Sequence, residues 1–467
     1  MRLKKITINN FHCYQNTTFE FAPKVTVLIG KNGSGKSSLV KSIKNALSIF
    51  FSNNPSWGYP TIVGDVSDLS QANLDSREIW HDKDMKPAES VDLKMAAERI
   101  NKAEDTVEAF PSWSFHKLST AKAKLQGSYY KDAYIYFQEH YTQDVPWPLF
   151  AYYSDRYPHI DAKLSDSIKK MIDNEDKLYR CWGYYHWDND SSCALIWQKR
   201  YMRIYNLLFK RQQSLSRIED KESKEAKQCQ QEIERYSAEI NFVLRYVKDF
   251  TSSKSEGLSD ASNALQVADI IVDGIEDPYL VAYFADGTRR RWDELPAGYE
   301  RLYNIVFDIA YRSYILNGCD VEPHGVILID ELDLHLHPSM EQDVLQRLTS
   351  AFKDVQFIIS THSPLVISNS SLGDENKIIL LHHTEDVYDH TTISDQYGMD
   401  YELVLSAVMG TEPRNVKLQQ MKSKYLRLMR RDKNEMAANT LAAIKSMVAG
   451  PRYEEIEAEL NKELSED

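Results

Sequence analysis

Eight residues near the amino terminus, Gly30-Lys-Asn-Gly-Ser-Gly35-Lys36-Ser37, follow the pattern G-x-x-x-x-G-K-[ST]. The run before them, ending in Val25-Thr-Val-Leu-Ile29, reads as a strand; Leu39, Ile43, Leu47 and Phe50 after them are spaced as one face of a helix. Strand, glycine-rich loop and helix in that order make a cradle. Small residues let successive backbone N–H groups curve round a phosphate, and the helix amino terminus adds partial positive charge. The resulting expectation is that Gly30, Lys31, Asn32, Gly33, Ser34, Gly35 and Ser38 line a phosphate site, that Lys36 reaches the β and γ phosphates, and that Ser37 ligates Mg2+. At average residue frequencies such a match arises by accident in a chain this long on the order of 1% of the time.

The remaining sequence bounds what such a loop can belong to. With 56 Lys and Arg against 69 Asp and Glu, the net charge of −13 repels phosphate, so any nucleic-acid contact needs a local basic patch. Hydrophobic content of 42% with 27% charged residues excludes a disordered chain. Five scattered cysteines without a CxxC pair suggest neither a disulfide framework nor a zinc site. MRLKKITINNF lacks the apolar stretch of a signal peptide, and no run of about 18 apolar residues occurs. A cytoplasmic protein without membrane segments is expected.

Composition and periodicity set apart two α/β stretches of the 467 residues, 1–51 and 256–400. Between them lie an irregular and helical insertion at 52–148 with one helix near 90–105, a connection at 149–194 around LFAYYS, and a helical, coiled-coil-like insertion at 195–255 free of Gly and Pro up to 250. A helical tail follows at 401–467.

Two further strand ends carry chemistry. Val326-Ile-Leu-Ile-Asp330-Glu331 delivers adjacent carboxylates from an apolar strand, as in a Walker B motif: Asp330 to hold Mg2+ and Glu331 to orient or deprotonate water. Phe357-Ile-Ile-Ser-Thr-His362 places a histidine after another apolar strand. Parallel strands ending on one face would bring Lys36, Glu331 and His362 together. Leu295-Pro-Ala-Gly298-Tyr-Glu300-Arg301 opens an apolar helix whose free N–H groups suit either a second phosphate or an ordinary cap.

This order of motifs resembles the ABC-type ATPases of the RecF, SMC and OLD kind within the wider AAA class, over residues 1–50 and about 290–370. The resemblance implies a P-loop ATPase head, ATP and Mg2+ as cofactors, and nucleotide sandwiched between two protomers of a homodimer or higher homo-oligomer. Ala297, Gly298 and Glu300 would then face the partner's ATP as the signature, Asp333 would sit in the D-loop, His362 would be the switch histidine, and His12 would lie near the nucleotide. Lys36, Glu331 and His362 would be catalytic. One departure is Pro296 where the family signature carries serine; the missing hydroxyl leaves backbone N–H groups to substitute, and slow hydrolysis is implied. The Q-loop is not identified, with candidates at Arg77 to Asp82.

Length, the FAYYSDRYP stretch, the short helical insert and the basic tail are similar to the ATPase subunits of Septu and retron-associated anti-phage systems, which implies a separately encoded HNH nuclease as partner. A RecF-like ATPase of recombination or repair, without nuclease partner, is the rival reading. A Toprim nuclease is not encoded: the tail from 401 is too short and lacks a D-x-D pair. His382, His383, Glu385, Asp386, Asp389 and His390 imitate a metal site but read as a polar turn. Residues 414–433 hold eight Lys or Arg against one Asp, either as a solvated basic helix or as a surface for DNA or a partner. Arg156 either approaches the nucleotide or pairs with Asp155.

Overall fold

The structure is a computed structural model. It describes residues 1–52, 72, 74–101, 104, 106–120, 124–142, 144–156, 166–173, 179–188, 194–252, 266–274, 277–370, 375–384, 387–393, 399–410, 415–448 and 450–465. Pro158, Cys193, Glu385, Asp386 and Arg414 of the sequence reading lie outside them. The chain divides into two units, Met1–Gly398 and Met399–Asp467.

The first unit begins with β1 (Arg2–Phe11), β2 (Tyr14–Glu20), β3 (Val25–Gly30) and α1 (Lys36–Leu47). Strands β4 (Ser90–Asn101) and β5 (Thr106–Leu118), helix α2 (Lys131–His140) and strand β6 (Leu149–Tyr153) follow. Next come α3 (Asp166–Asp173) and the long pair α4 (Ala194–Arg217) and α5 (Lys224–Ser252). A small antiparallel sheet of β7 (Val267–Asp273), β8 (Tyr279–Phe284) and β9 (Arg289–Arg291) precedes α6 (Ala297–Asn317). The unit closes with β10 (His324–Ile329), α7 (Pro338–Glu341), α8 (Val344–Ala351), β11 (Asp354–Ser360), α9 (Pro364–Ser368) and the hairpin β12 (Asn376–Thr384) and β13 (Val387–Ile393).

The central sheet has the order β13-β12-β3-β11-β10-β6, parallel throughout except for its β13 edge. Inside the sheet β3 and β10 read VTVLIG and GVILI, without polar alternation, because helices cover both faces of a parallel sheet and leave no solvent side; the β6 edge, LFAYY, is equally buried. Helix α1 buries Leu39, Val40, Ile43 and Leu47. A second, antiparallel sheet, β2-β1-β4-β5, packs beside it. Within the expected helix near 90–105, Ser90–Asn101 is therefore strand, against the helix propensity of Lys94, Met95, Ala96, Ala97 and Glu98. Val91, Leu93, Met95 and Ala97 alternate inward, and the last three pair with Ile8, Ile6 and Leu3 of β1, so burial of one face overrides helix preference.

The helical insertion is a hairpin, α4 against α5, that packs on α6. Helix α6 is buried at most positions, including Arg301, Asn304, Asp308 and Arg312. Asp308 accepts from Tyr153 Oη of β6, Trp197 Nε1 of α4 and Arg312 Nε, each at 2.6 Å. Glu239 of α5 accepts from Arg200 at 2.9 Å and from Tyr311 Oη at 2.5 Å. Every charge in this seam is thus met by an opposite charge or a donor, the condition under which ions are tolerated in a core.

The second unit contains α10 (Tyr401–Leu403), α11 (Val416–Met429), α12 (Asn434–Met447) and α13 (Pro451–Ser465). The last three enclose their own core of Tyr425, Leu428, Ala437, Ile444, Tyr453, Ile456 and Leu460. Its helical character agrees with the sequence reading.

Candidate functional site

Strands β3, β10 and β11 are neighbours, run parallel and end at one edge. At that edge lies a cavity of about 1030 Å3 lined by Asn32, Gly33, Gly35, Lys36, Ser37 and Ser38 from the loop after β3, Glu331 after β10 and His362 after β11. The far wall is His12, Cys13 and Gln15 at the β1–β2 turn, the segment Arg77 to Lys83, and Tyr388 of β13.

Backbone geometry shapes the loop. Gly35 has φ +99°, and a Cβ there would stand 2.4 Å from Tyr14 Oη, whose hydroxyl donates to Gly35 O at 3.1 Å. No side chain caps α1 and no acid occupies its first turn, so its amino-terminal N–H groups are left for an anion. Lys36 is 6% exposed, with Nζ donating to Gly30 O at 2.9 Å and Lys31 O at 3.2 Å. Burial lowers its pKa, while Asp330, Glu331 and Asp333 pull the other way. Ser34 Oγ and His12 Nε2 are buried without a hydrogen-bond partner. The site holds orphaned polar atoms, an ammonium and an uncapped helix end, and Ser37 on its wall adds a hard oxygen of the kind Mg2+ takes. These residues fit a magnesium nucleotide.

The acidic turn is held from behind. Asp330 is 3% exposed and is hydrogen-bonded to Ser360 Oγ, which also accepts from Glu331 N at 2.8 Å. Glu331 adopts φ +53°, a left-handed conformation that costs a non-glycine residue about 1 kcal/mol or more. Arg301 of α6, fully buried, donates Nη1 to Glu331 O at 2.9 Å and Leu332 O at 3.1 Å, and Nη2 to Asp330 O at 3.0 Å and Ser154 O at 3.4 Å. One planar guanidinium therefore pins the carbonyls of the turn. Burial, with Asp330, Asp155 and Asp333 nearby, raises the Glu331 pKa; burial and the Lys36 charge lower that of His362, leaving its imidazole neutral at neutral pH.

Asp333 is not on the cavity wall. Its Oδ1 accepts from Thr361 Oγ1 at 2.5 Å and His362 N at 3.1 Å, so within one chain it positions the histidine. Asp330 likewise lies behind the wall, and Ala297, Gly298 and Glu300 are away from this chain's cavity. Gly298 packs where a Cβ would be 2.3 Å from His335 O, which explains the glycine. Arg156 is exposed and off the wall, with its N–H on Ser154 Oγ at 3.2 Å. His382, His383, Asp389 and His390 sit on the β12–β13 hairpin, not in a turn, and no metal-holding group occurs among the described residues. Sequence reasoning missed Arg301, Ser360 and Tyr388; Arg301 and Ser360 stood within the segments that carry Glu300 and His362, whereas nothing local marked Tyr388.

Phosphate loop, acidic strand end and histidine on adjacent parallel strands define a P-loop ATPase of the ABC type. The AAA ATPase domain family matches residues 1–367, and the chain belongs to that family. Among relatives, "Retron Vc95 probable ATPase" of Vibrio cholerae serotype O1 biovar El Tor is 26% identical over 407 residues, 81% of this chain and 73% of that protein. "Retron Ec83 probable ATPase" of Escherichia coli is 46% identical over 76 residues, 16% of this chain and 14% of that one. "Septu protein PtuA" of Bacillus mycoides (strain KBAB4) is 25% identical over 172 residues, 35% of this chain and 23% of that protein. The Smc head bound to the C-winged helix domain of ScpA superposes with a TM-score of 0.42 at 17% identity, over 84% of this chain and 98% of that one, and assigns no residue a role.

Proposed function

We propose that the chain binds and hydrolyses Mg·ATP at this cavity and that the nucleotide state controls a separately encoded nuclease, of the HNH type, in anti-phage defence. The observation that carries the catalytic part is the meeting of Lys36, Glu331 and His362 on one cavity wall. Lys36 leaves its loop carbonyls for the β and γ phosphates, the α1 N–H groups hold their oxygens, and Ser37 with Asp330 would hold Mg2+. The metal supplies charge neutralisation at the transferred phosphoryl group. Glu331, with its raised pKa, accepts a proton from the attacking water, and neutral His362 donates a hydrogen bond to the γ-phosphate.

The signature helix lies off its own chain's cavity, which supports a homodimer or higher oligomer in which Ala297 and Gly298 offer backbone N–H groups to a partner's nucleotide and Glu300 stands beside them. Pro296 withholds a hydroxyl there, so turnover is slow and ATP serves more as signal than fuel. The defence role rests on the names of the retron and Septu relatives. Similarity to RecF of Clostridioides difficile covers 9% of this chain, too little to favour the repair reading. Calorimetry with Mg·ATP tests the site: Lys36→Ala abolishes binding, whereas Glu331→Gln binds and turns over at least about 100-fold more slowly. Unchanged turnover in both variants refutes the assignment. Co-purification with the neighbouring gene product, and nuclease assays with and without ATP, test the partner.

A further inference from the structure

Helix α11 carries its charge in an ordered way. At 100° per residue, Lys417, Lys424 and Arg427 fall within an arc of about 80°, with Gln420 between them, and Arg431 follows in the turn just past the end of the helix. All four cations are exposed, and none forms an ion pair among the described residues. Lys422, on the other flank, is different: it is buried against α13 and paired with Glu459. The bundle core thus uses Leu428, Tyr425 and Lys422 and leaves the four-cation stripe to solvent.

We infer that this stripe is a binding surface for the phosphodiester backbone of a nucleic acid. Three features select that occupant. From Lys417 to Arg427 the helix advances ~15 Å, the length of about four base-pair steps, so the charges follow a strand. The stripe contains Lys, Gln and Arg only and no apolar anchor, whereas the centre of a protein interface is depleted of lysine and built on aromatic or aliphatic side chains. The rest of a chain of net charge −13 repels phosphate, which concentrates binding where exposed cations are gathered, as on α11 and the turn that follows it. The surface reads charge, not base sequence.

The inference does not rest on the nucleotide site. Full-length protein is titrated with a labelled 30-base-pair duplex and the matching single strand over 50–200 mM salt. Four phosphate contacts give a slope of log affinity against log salt near −3.6 on the duplex and a loss of about 100-fold across that range; single-stranded contacts give a shallower slope. The variant K417Q/K424Q/R427Q/R431Q loses most of that slope while keeping Mg·ATP binding, and Lys36→Ala keeps the slope. A control, K5Q/K94Q/K210Q/K224Q, removes four exposed lysines from residues 1–398 and leaves the slope intact. The idea is overturned if wild type binds neither nucleic acid at 50 mM salt, or if the control variant flattens the slope as much as the α11 variant. It is equally overturned if the α11 changes abolish only the capture of an acidic protein partner.

Discussion

Glu331 joins two costs in one residue. Its left-handed backbone is strained, and its carboxylate stands among Asp330, Asp155 and Asp333. Its raised pKa means that any stability it contributes is present below the ordinary carboxylate value and lost as pH rises through the raised one. Nucleotide-free Glu331→Gln is therefore expected to melt above wild type at pH 7.5, with the gap closing toward pH 4; thermal melts across that interval check it, and an equal or lower melting point at pH 7.5 contradicts it. Arg301 opposes the strain by fixing the turn's carbonyls. Arg301→Ala should cost about 3 kcal/mol in denaturant unfolding, since buried acceptors lose a charged donor. Arg301→Lys keeps the charge but not the fork. It should fold and bind Mg·ATP with near-normal affinity while kcat falls; a loss of affinity with unchanged kcat would show that Arg301 does not position Glu331.

At the scale of elements, α6 is where the molecule's parts are fastened together. Its first turn holds Ala297, Gly298 and Glu300, Arg301 grips the end of β10, and Asp308 draws in β6 through Tyr153 and α4 through Trp197. Asp308→Ala strands the buried Arg312 guanidinium and two further donors, so a loss of about 3–5 kcal/mol is expected in equilibrium unfolding. Asp308→Asn, which keeps the shape, should lose less. None of this seam was legible beforehand. The sequence shows Asp308 and Arg312 four apart on a helix, as an exposed ion pair would also be, and nothing local marks them as buried. Strand β4 teaches the same lesson: helix-favouring Lys94, Ala96 and Glu98 masked the period-two burial of Val91, Leu93 and Met95.

For the whole molecule, the cavity-lining residues all fall within Met1–Gly398, while the cation stripe belongs to Met399–Asp467, which has a core of its own. Ending the chain at Gly398 should leave Mg·ATP affinity within about twofold and remove salt-sensitive nucleic-acid binding; calorimetry and the duplex titration read the two separately. Local patterns sufficed for the glycine-rich loop between β3 and α1, the strand that precedes Asp330-Glu331, the helical character of the second insertion and the helical tail, because each is written in contiguous residues with a spacing that chemistry or helix geometry imposes. Contacts between distant segments were settled by packing alone. The clamp of Arg301 on the acidic turn, the inward use of Asp333 on His362 and the closing of the cavity by Tyr388 join residues tens to hundreds of positions apart, and only burial of the sheet edges decides which of them meet.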